Sequence, residues 1–343
     1  MTGSSACSRC GPTPGSGDVV ALPADSADLV VRSMTPCSFA DTSTADTSTR
    51  AASVGAVVVN HNAGESLLKC VASLRAEGVA ELVVVDNASS DGSPDALAKA
   101  DPEVQILRTG VNLGYGAGAN RGLASVRSEM VLVSNPDVAV HSGAIGALEK
   151  ALAADATIAI AGPRVEEPDG TRYPSARRFP SLVDAVGHVV LGQLVPGNRF
   201  TDRYRMEDLD LSEPTEVDWV SGACLFARRR ALCELGGFDE AYFMYAEDVD
   251  LSWRARQAGW GVSYVPEAVV THSQGLSTSQ HPYRMLVAHH RSAYRFASRS
   301  TRGWRRAALP GAAGLLGVHL AAACVKQAVR RRASEKVIER APD

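Results

Sequence analysis

Between Val54 and Gly162, short apolar runs alternate with segments patterned for helices, and this rhythm restricts the chain to few folds. GAVVV (55–59), ELVVVD (81–86), VQILR (104–108), MVLVSN (130–135) and TIAIAG (157–162) read as strands. Between them, 64–78 carries a helical apolar face at Leu67, Leu68, Val71 and Leu74. Residues 90–100 hold a turn and a short helix, and 115–126 a helix opened by small residues. A further helix runs to about Ala154, with Ser142 as its expected cap. Strand and helix in strict alternation predict a mostly parallel α/β sheet with helices on both faces.

The pattern changes after residue 163. PDG (168–170) marks a turn and 173–215 is irregular. VDWVSGACLFARR (217–229) reads as one strand and RRALCELGG (229–237) as a helix stopped by glycine. AEDVDLSWRARQAG (246–259) has acids in its first turn, basic residues later and Gly259 at its end, a layout that suits the helix macrodipole and a glycine stop. GVSYV and AVVTH come after it as two short strands.

Residues 1–53 are rich in Ser, Thr, Ala, Asp, Gly and Pro without a sustained apolar run, and read as a disordered extension. Residues 284–343 hold 13 Lys/Arg against 3 Asp/Glu, a net of +10 that leaves −13 on the rest of the chain. Such a tail suits an anionic partner, phospholipid or nucleic acid, although a solvated basic helix has the same composition. Within it, 307–325 has the length of a membrane span but is dominated by Ala and Gly, with Pro310 and His319 inside. An interfacial or shallowly inserted segment fits better than a true span; a packed helical hairpin is the other reading. Seven cysteines at irregular spacing, with Cys7 and Cys10 as a lone CxxC, suit reduced structural thiols.

In an open parallel sheet, ligands bind beyond the carboxyl ends of the strands. Those ends carry Asn60, His61 and Asn62; Asp86 and Asn87; and Ser134, Asn135, Pro136 and Asp137. Each alone reads as a turn-former; together they predict a site. A single exposed carboxylate such as Asp137 can hold a hard divalent cation when phosphate oxygens and water complete its shell, and His272 at the end of VVTH could supply another ligand. The glycines of NLGYGAGANRG (112–122) invite a dinucleotide reading, but they come after the third strand rather than the first, with Val111-Asn112-Leu113 intervening. FMYAEDVDLSWR (243–254) sets Glu247, Asp248 and Asp250 amid large apolar residues, where carboxylates are paired, bind metal or do chemistry. Asp250 and Arg254 are four apart on a helix and suit an ion pair.

The ordered series VVVNHN, VVVDNASSDGS, NLGYGAGANRG, VLVSNPDV, WVSGACLFARR, GGFDEAYFMYAEDVDLSWRARQAGW and VTHSQGLST resembles the family 2 inverting glycosyltransferases of GT-A fold, nearest to bacterial rhamnosyltransferases acting on lipid-linked cell-envelope precursors. The resemblance covers about residues 54–300. It implies a GT-A domain over 54–283, with a donor half (54–162) and an acceptor half (163–283), and then a helical membrane-associating tail (284–343). It implies that His61, Asn62, Asp86 and Asn87 hold the nucleotide, and that Asn112, Tyr115 and Asn120 line the donor pocket. Asn135-Pro136-Asp137 stands where the family has Asp-x-Asp, so Asp137 and His272 become ligands of Mg2+ or Mn2+. Trp219, Ser221 and Gly222 match the acceptor-facing strand. Glu247-Asp248 matches the pair containing the catalytic base, with Asp248 favoured. The implied reaction moves L-rhamnose from a dTDP-sugar donor to a polyprenyl-diphosphate-linked N-acetylglucosamine at the cytoplasmic face of the plasma membrane, with no nucleic acid partner. Galactofuranose, glucose and mannose suit the same scaffold, and a non-catalytic nucleotide-sugar-binding protein or a nucleic-acid-binding protein is the rival class.

Overall fold

A computed structural model describes residues 54–179, 206, 211–273 and 282–338. The extension 1–53, the Cys7–Cys10 pair, Cys37 and residues 274–278 of the VTHSQGLST motif lie outside the described residues.

The first half keeps the sequence rhythm. Strands β1 (Val54–Asn60), β2 (Glu81–Asp86), β3 (Gln105–Arg108) and β4 (Met130–Ser134) lie in the order β3-β2-β1-β4, all parallel. Helices α1 (Glu65–Ala76), α2 (Ser93–Ala100) and α3 (Tyr115–Leu123) connect them. Side chains alternate across a strand. Ala56, Val58, Leu82, Val84 and Leu132 enter one core layer, whereas Val57, Val59, Val83, Val85, Val131 and Val133 enter the other. Burial on both faces is why these strands are unbroken apolar runs rather than alternating ones. The register sets Asn60 opposite Asp86 and Asp86 opposite Arg108, so the strand ends that carry polar groups finish level.

The second half adds antiparallel strands to this parallel set. After β5 (Val138–Val140), α4 (Ala144–Ala154) and β6 (Ile158–Glu166), strand β11 (Cys224–Arg228) inserts antiparallel between β4 and β6. β12 (Gly261–His272) runs parallel to β6, and β5 closes the edge antiparallel to β12. The main path is β3-β2-β1-β4-β11-β6-β12-β5, with β7 (Arg172–Tyr173) on β6 and β9 (Thr215–Glu216) on β12. Two expected strands, GVSYV and AVVTH, are one: β12 continues through a register shift between Val265 and Val269, where Pro266 has no N–H to give the ladder. The expected strand 217–229 instead divides. Its first part, β10 (Trp219–Val220), pairs with β8 (Ala176–Arg177) in a separate ribbon, and only its second part is β11. Ser142 does not cap α4. Gly143 stands before that helix, and the Glu77 carboxylate accepts the Gly143 and Ile145 N–H groups at 2.9 and 3.1 Å.

Helices α5 (Arg229–Glu234), α6 (Glu247–Gln257), α7 (Pro282–Ser300) and α8 (Leu309–Ile338) complete the described chain. α7 is docked on the second half of the sheet domain: Phe296 is buried with Trp219, Tyr242 and Val249, and Arg295 and Arg299 both bind Asp239. His290 Nε2 lies 2.9 Å from His319 Nδ1 and links α7 to α8. Residues 303–329 are long and apolar enough to cross a membrane, and almost none of that stretch is buried against the protein. Cys70, Cys224 and Cys324 are free, the first two deep in the core.

Candidate active site

The ends of β1, β2 and β3 build one polar wall. Asn60 is buried, and its amide donates to Ser89 Oγ and Ser93 Oγ at 3.0 and 3.1 Å. His61 Nδ1 lies 2.9 Å from the Asn87 carbonyl. Asn62 adopts a left-handed backbone (φ 53°), and its Oδ1 accepts the Ser90 N–H at 2.7 Å. Asp86 accepts the Ser89 N–H at 3.0 Å and faces Arg108 at 3.5 Å. Asn87 Oδ1 accepts the Leu113 N–H at 2.9 Å, while its Nδ2 donates to Asn112 Oδ1 and the Gly114 carbonyl at 3.1 and 3.0 Å. His61, Asn62, Asp86 and Asn87, which strand order placed at one edge, therefore form one connected group, and Asn112 joins it from the loop after β3.

A second group gathers where β4 gives way to β5. His272 Nε2, at the end of β12, lies 3.1 Å from Asp137 Oδ1 and 3.3 Å from Asn135 Nδ2. Both the Asp137 and the His272 side chains are buried, and His272 Nδ1 has no hydrogen-bond partner. Two adjacent ligands of an octahedral divalent cation, each about 2.1 Å from it, stand about 3.0 Å apart. The Asp137–His272 spacing thus suits chelation with little rearrangement. Among the described residues no third His, Cys, Asp or Glu joins them, so other ligands would have to be water or substrate oxygens.

The third group heads α6. The helix has no side-chain cap and begins after two consecutive non-glycine residues with left-handed backbone, Tyr245 (φ 68°) and Ala246 (φ 62°). Such strain persists only where the surroundings enforce it. Asp248 Oδ2 accepts the Gly222 N–H at 2.8 Å and Oδ1 the Val249 N–H at 2.9 Å. A Cβ on Gly222 would come within 3.1 Å of Asp248 Cβ, so glycine permits this approach. Glu247 is buried and its Oε2 has no partner. Burial, then the Asp248 charge, push Glu247 up to about 8. Burial also raises Asp248, but the Gly222 and Val249 N–H groups and the Arg177 charge pull it back. The anion therefore resides on Asp248 and the proton on Glu247. Asp250 does pair with Arg254, at 2.6 Å, and meets Arg299 at 3.3 Å. The three acids are thus chemically distinct.

This pairing has a readable pH signature. Glu247 is neutral while Asp248 titrates, so Glu247→Gln, which keeps a neutral group there, should leave the acid limb of the kcat/KM profile in place. The buried Glu247 carboxyl is held above its free value, so its contribution to stability is present below about pH 4.5 and is lost as pH rises towards 8. The Tm difference favouring Glu247→Gln over wild type should accordingly grow across that window. An acid limb that moves to lower pH contradicts the assignment of the proton.

Other expected site residues have different surroundings. Tyr115 is buried, donates its hydroxyl to the Gly222 carbonyl at 2.6 Å and its N–H to the Phe243 carbonyl at 3.0 Å, and so ties α3 to both sides of Asp248. Asn120 donates to the Phe238 carbonyl and to Glu240, and accepts the Phe238 N–H; its amide holds the loop before α6 rather than facing the polar wall. Trp219 is buried, its Nε1 donating to the Arg178 carbonyl at 2.9 Å, so it supports α6 from the core instead of presenting an acceptor surface. Ser221 Oγ accepts the Ala223 N–H at 3.3 Å within the turn between β10 and β11, and of these three Gly222 is the one whose N–H binds Asp248. The sequence reading missed Arg177. Its guanidinium lies over the Trp219 and Tyr173 rings, at 5.1 and 5.3 Å, and donates to Tyr173 Oη at 2.8 Å. It sits in the stretch read as irregular, and only the adjacent aromatic and basic residues of TRYPSARRF hinted at it.

Residues 56–236 match the family model for glycosyl transferase family 2, and residues 200–327 that for glycosyl transferase family group 2. The chain is 42% identical over 266 residues to an N-acetylglucosaminyl-diphospho-decaprenol L-rhamnosyltransferase of Mycobacterium tuberculosis, covering 74% of this chain and 86% of that protein. It is 23% identical over 254 residues to the rhamnosyltransferase WbbL of Escherichia coli, covering 71% of this chain and 92% of that protein. Among solved structures, the mannosyltransferase PcManGT of Pyrobaculum calidifontis, in complex with GDP-Man and Mn2+, shares the fold with a TM-score of 0.51 at 18% identity, over 83% of this chain and 80% of that one.

Proposed function

The chain belongs to glycosyl transferase family 2, and we propose that it transfers L-rhamnose from dTDP-rhamnose, with inversion, to a polyprenyl-diphosphate-linked N-acetylglucosamine in cell-envelope polysaccharide synthesis. The observation that carries the chemistry is the asymmetric carboxyl pair: Asp248 is held as an anion by two N–H groups, whereas Glu247 has no partner for Oε2. The choice of sugar and acceptor rests on the M. tuberculosis relative.

Each step uses one of these groups. The acceptor hydroxyl oxygen attacks the anomeric carbon while Asp248 takes its proton. The bond from that carbon to the diphosphate oxygen breaks, and dTDP leaves with the electron pair. One displacement inverts the anomeric centre and needs one base, unlike the paired acid and nucleophile of a retaining hydrolase. His61, Asn62, Asp86, Asn87 and Asn112 hold the base and ribose. Asp137 and His272 would hold Mg2+ or Mn2+, which supplies charge neutralisation for the diphosphate.

The C-terminal helices suit a lipid-linked acceptor. Val318, Val325 and Val329 are exposed on α8, and Arg305 and Arg306 stand before it. An apolar helix flanked by cations favours an anionic leaflet, and nucleotide sugars place the reaction on the cytoplasmic side.

The test is a panel of dTDP-, UDP- and GDP-sugars with polyprenyl-diphosphate N-acetylglucosamine in anionic vesicles, using the full chain with Mn2+. Turnover with dTDP-rhamnose is expected. Turnover confined to a UDP- or GDP-hexose overturns the sugar assignment, and donor binding without turnover by any donor overturns the enzyme reading.

A further inference from the structure

The turn that aims Asp248 is strained and has no cap of its own. Tyr245 and Ala246 both have positive φ, and α6 starts directly after them. On one side the turn leans on α3. The Tyr115 N–H donates to the Phe243 carbonyl at 3.0 Å, and Gly114 (φ +87°) passes so close that a Cβ there would stand 2.2 Å from the same oxygen. On the other side it meets α7. Ser292 is buried, and its hydroxyl donates to the Met244 carbonyl at 2.8 Å. One turn earlier on α7, His289 meets the Tyr245 ring edge to face, 5.3 Å between centroids. Further along, Phe296 fills the cluster under α6 and Arg299 reaches Asp250.

We propose that Ser292 is a positioning residue for the transfer reaction: its hydroxyl, 48 residues further along the chain than Met244, fixes the Met244 carbonyl and so locks the left-handed Tyr245–Ala246 turn that presents Asp248. The inference rests on the reading of Asp248 as base. Two left-handed non-glycine residues in succession relax unless contacts on both sides hold them. The α3 side fixes Phe243, before the turn, and leaves the orientation of Tyr245 and Ala246 unset. Ser292 supplies the next contact along the chain, immediately before Tyr245. Its loss would free the turn while leaving the ion pairs and Phe296 packing that dock α7.

Full-length Ser292→Ala is compared with wild type, with Ser292→Thr, which keeps the hydroxyl, and with Ser298→Ala. Ser298 Oγ bonds within α7, to the Tyr294 and Arg295 carbonyls. Hydrogen exchange over 243–250 needs no substrate and is expected to quicken in Ser292→Ala alone, with the sheet unchanged. In the rhamnosyl-transfer assay, kcat of Ser292→Ala is expected to fall about tenfold with donor KM unchanged, the size of effect a sub-ångström displacement of a base produces, and Ser292→Thr to recover both readouts. Exchange over 243–250 equal to wild type overturns the proposal, as does a loss of kcat accompanied by faster exchange throughout the protein. Should wild type itself fail to use the proposed donor and acceptor, the function reading falls while the exchange comparison still decides the brace.

Discussion

Asp248→Asn should fold normally and lose transfer activity by about a thousandfold, within the range for removal of a positioned general base. The substitution keeps shape and removes the proton acceptor. Asp248 accepts the Gly222 and Val249 N–H groups on separate oxygens. An asparagine can satisfy one of them with its oxygen, and its own N–H2 must then face the other. That mismatch costs about 1–3 kcal/mol. It is offset by removing the charge that presses on Glu247, so Tm should move little. Donor KM should also hold, because hydrogen bonds among the ends of β1 and β2 and the loops beyond them keep His61, Asn62, Asp86 and Asn87 in place. The check is kcat under saturating donor and acceptor, with Tm measured on the same preparations. Activity within tenfold of wild type would remove Asp248 from the role of base and transfer it to Glu247, whose Gln variant then becomes the inactive one.

Whether a feature is legible in the sequence depends on whether its deciding contact is local. The valine runs of β1, β2 and β4 announced strands buried on both faces, and their polar ends announced the site. The Asp250–Arg254 pair came from a spacing of four on a helix. The antiparallel insertion of β11 could not be read, because CLFAR has the same pattern in either direction; its place is set by pairing to β4 and β6, and by the Asn135 N–H donating to the Ala223 carbonyl at 2.8 Å. Trp219 is expected at the acceptor because the resemblance matches it to an acceptor-facing strand, but a backbone carbonyl takes its N–H and the Arg177 guanidinium covers its ring. The basic residues of α7 looked like a tail for an anionic surface. Arg295 and Arg299 are instead matched to Asp239 and Asp250, far earlier in the chain, and charge counting cannot reveal such pairing.

Asp137→Asn is the second large effect: transfer should fall by at least about 10²-fold, the size of losing one preorganised electrostatic contact to developing charge, and its dependence on added Mn2+ should flatten. The position is sensitive because its neighbours are neutral. Two residues before Asp137 this chain has Asn135, and the side-chain groups near His272 are one carboxylate, one amide and one imidazole. Asp137 supplies the group's only negative charge among the described residues. Hard divalent cations prefer anionic oxygen, so the amide variant retains the shape of the cluster and loses its attraction for the ion. His272→Gln removes a neutral ligand and should cost less, about tenfold, by the same reasoning. Both are read from initial rates against Mn2+ concentration. Wild-type saturation by Asp137→Asn, or full wild-type activity in excess chelator, would detach this pair from the diphosphate. Recovery of Asp137→Asn only at high Mn2+ would agree with this argument, since the carboxylate serves to capture the cation and a weaker site fills by mass action.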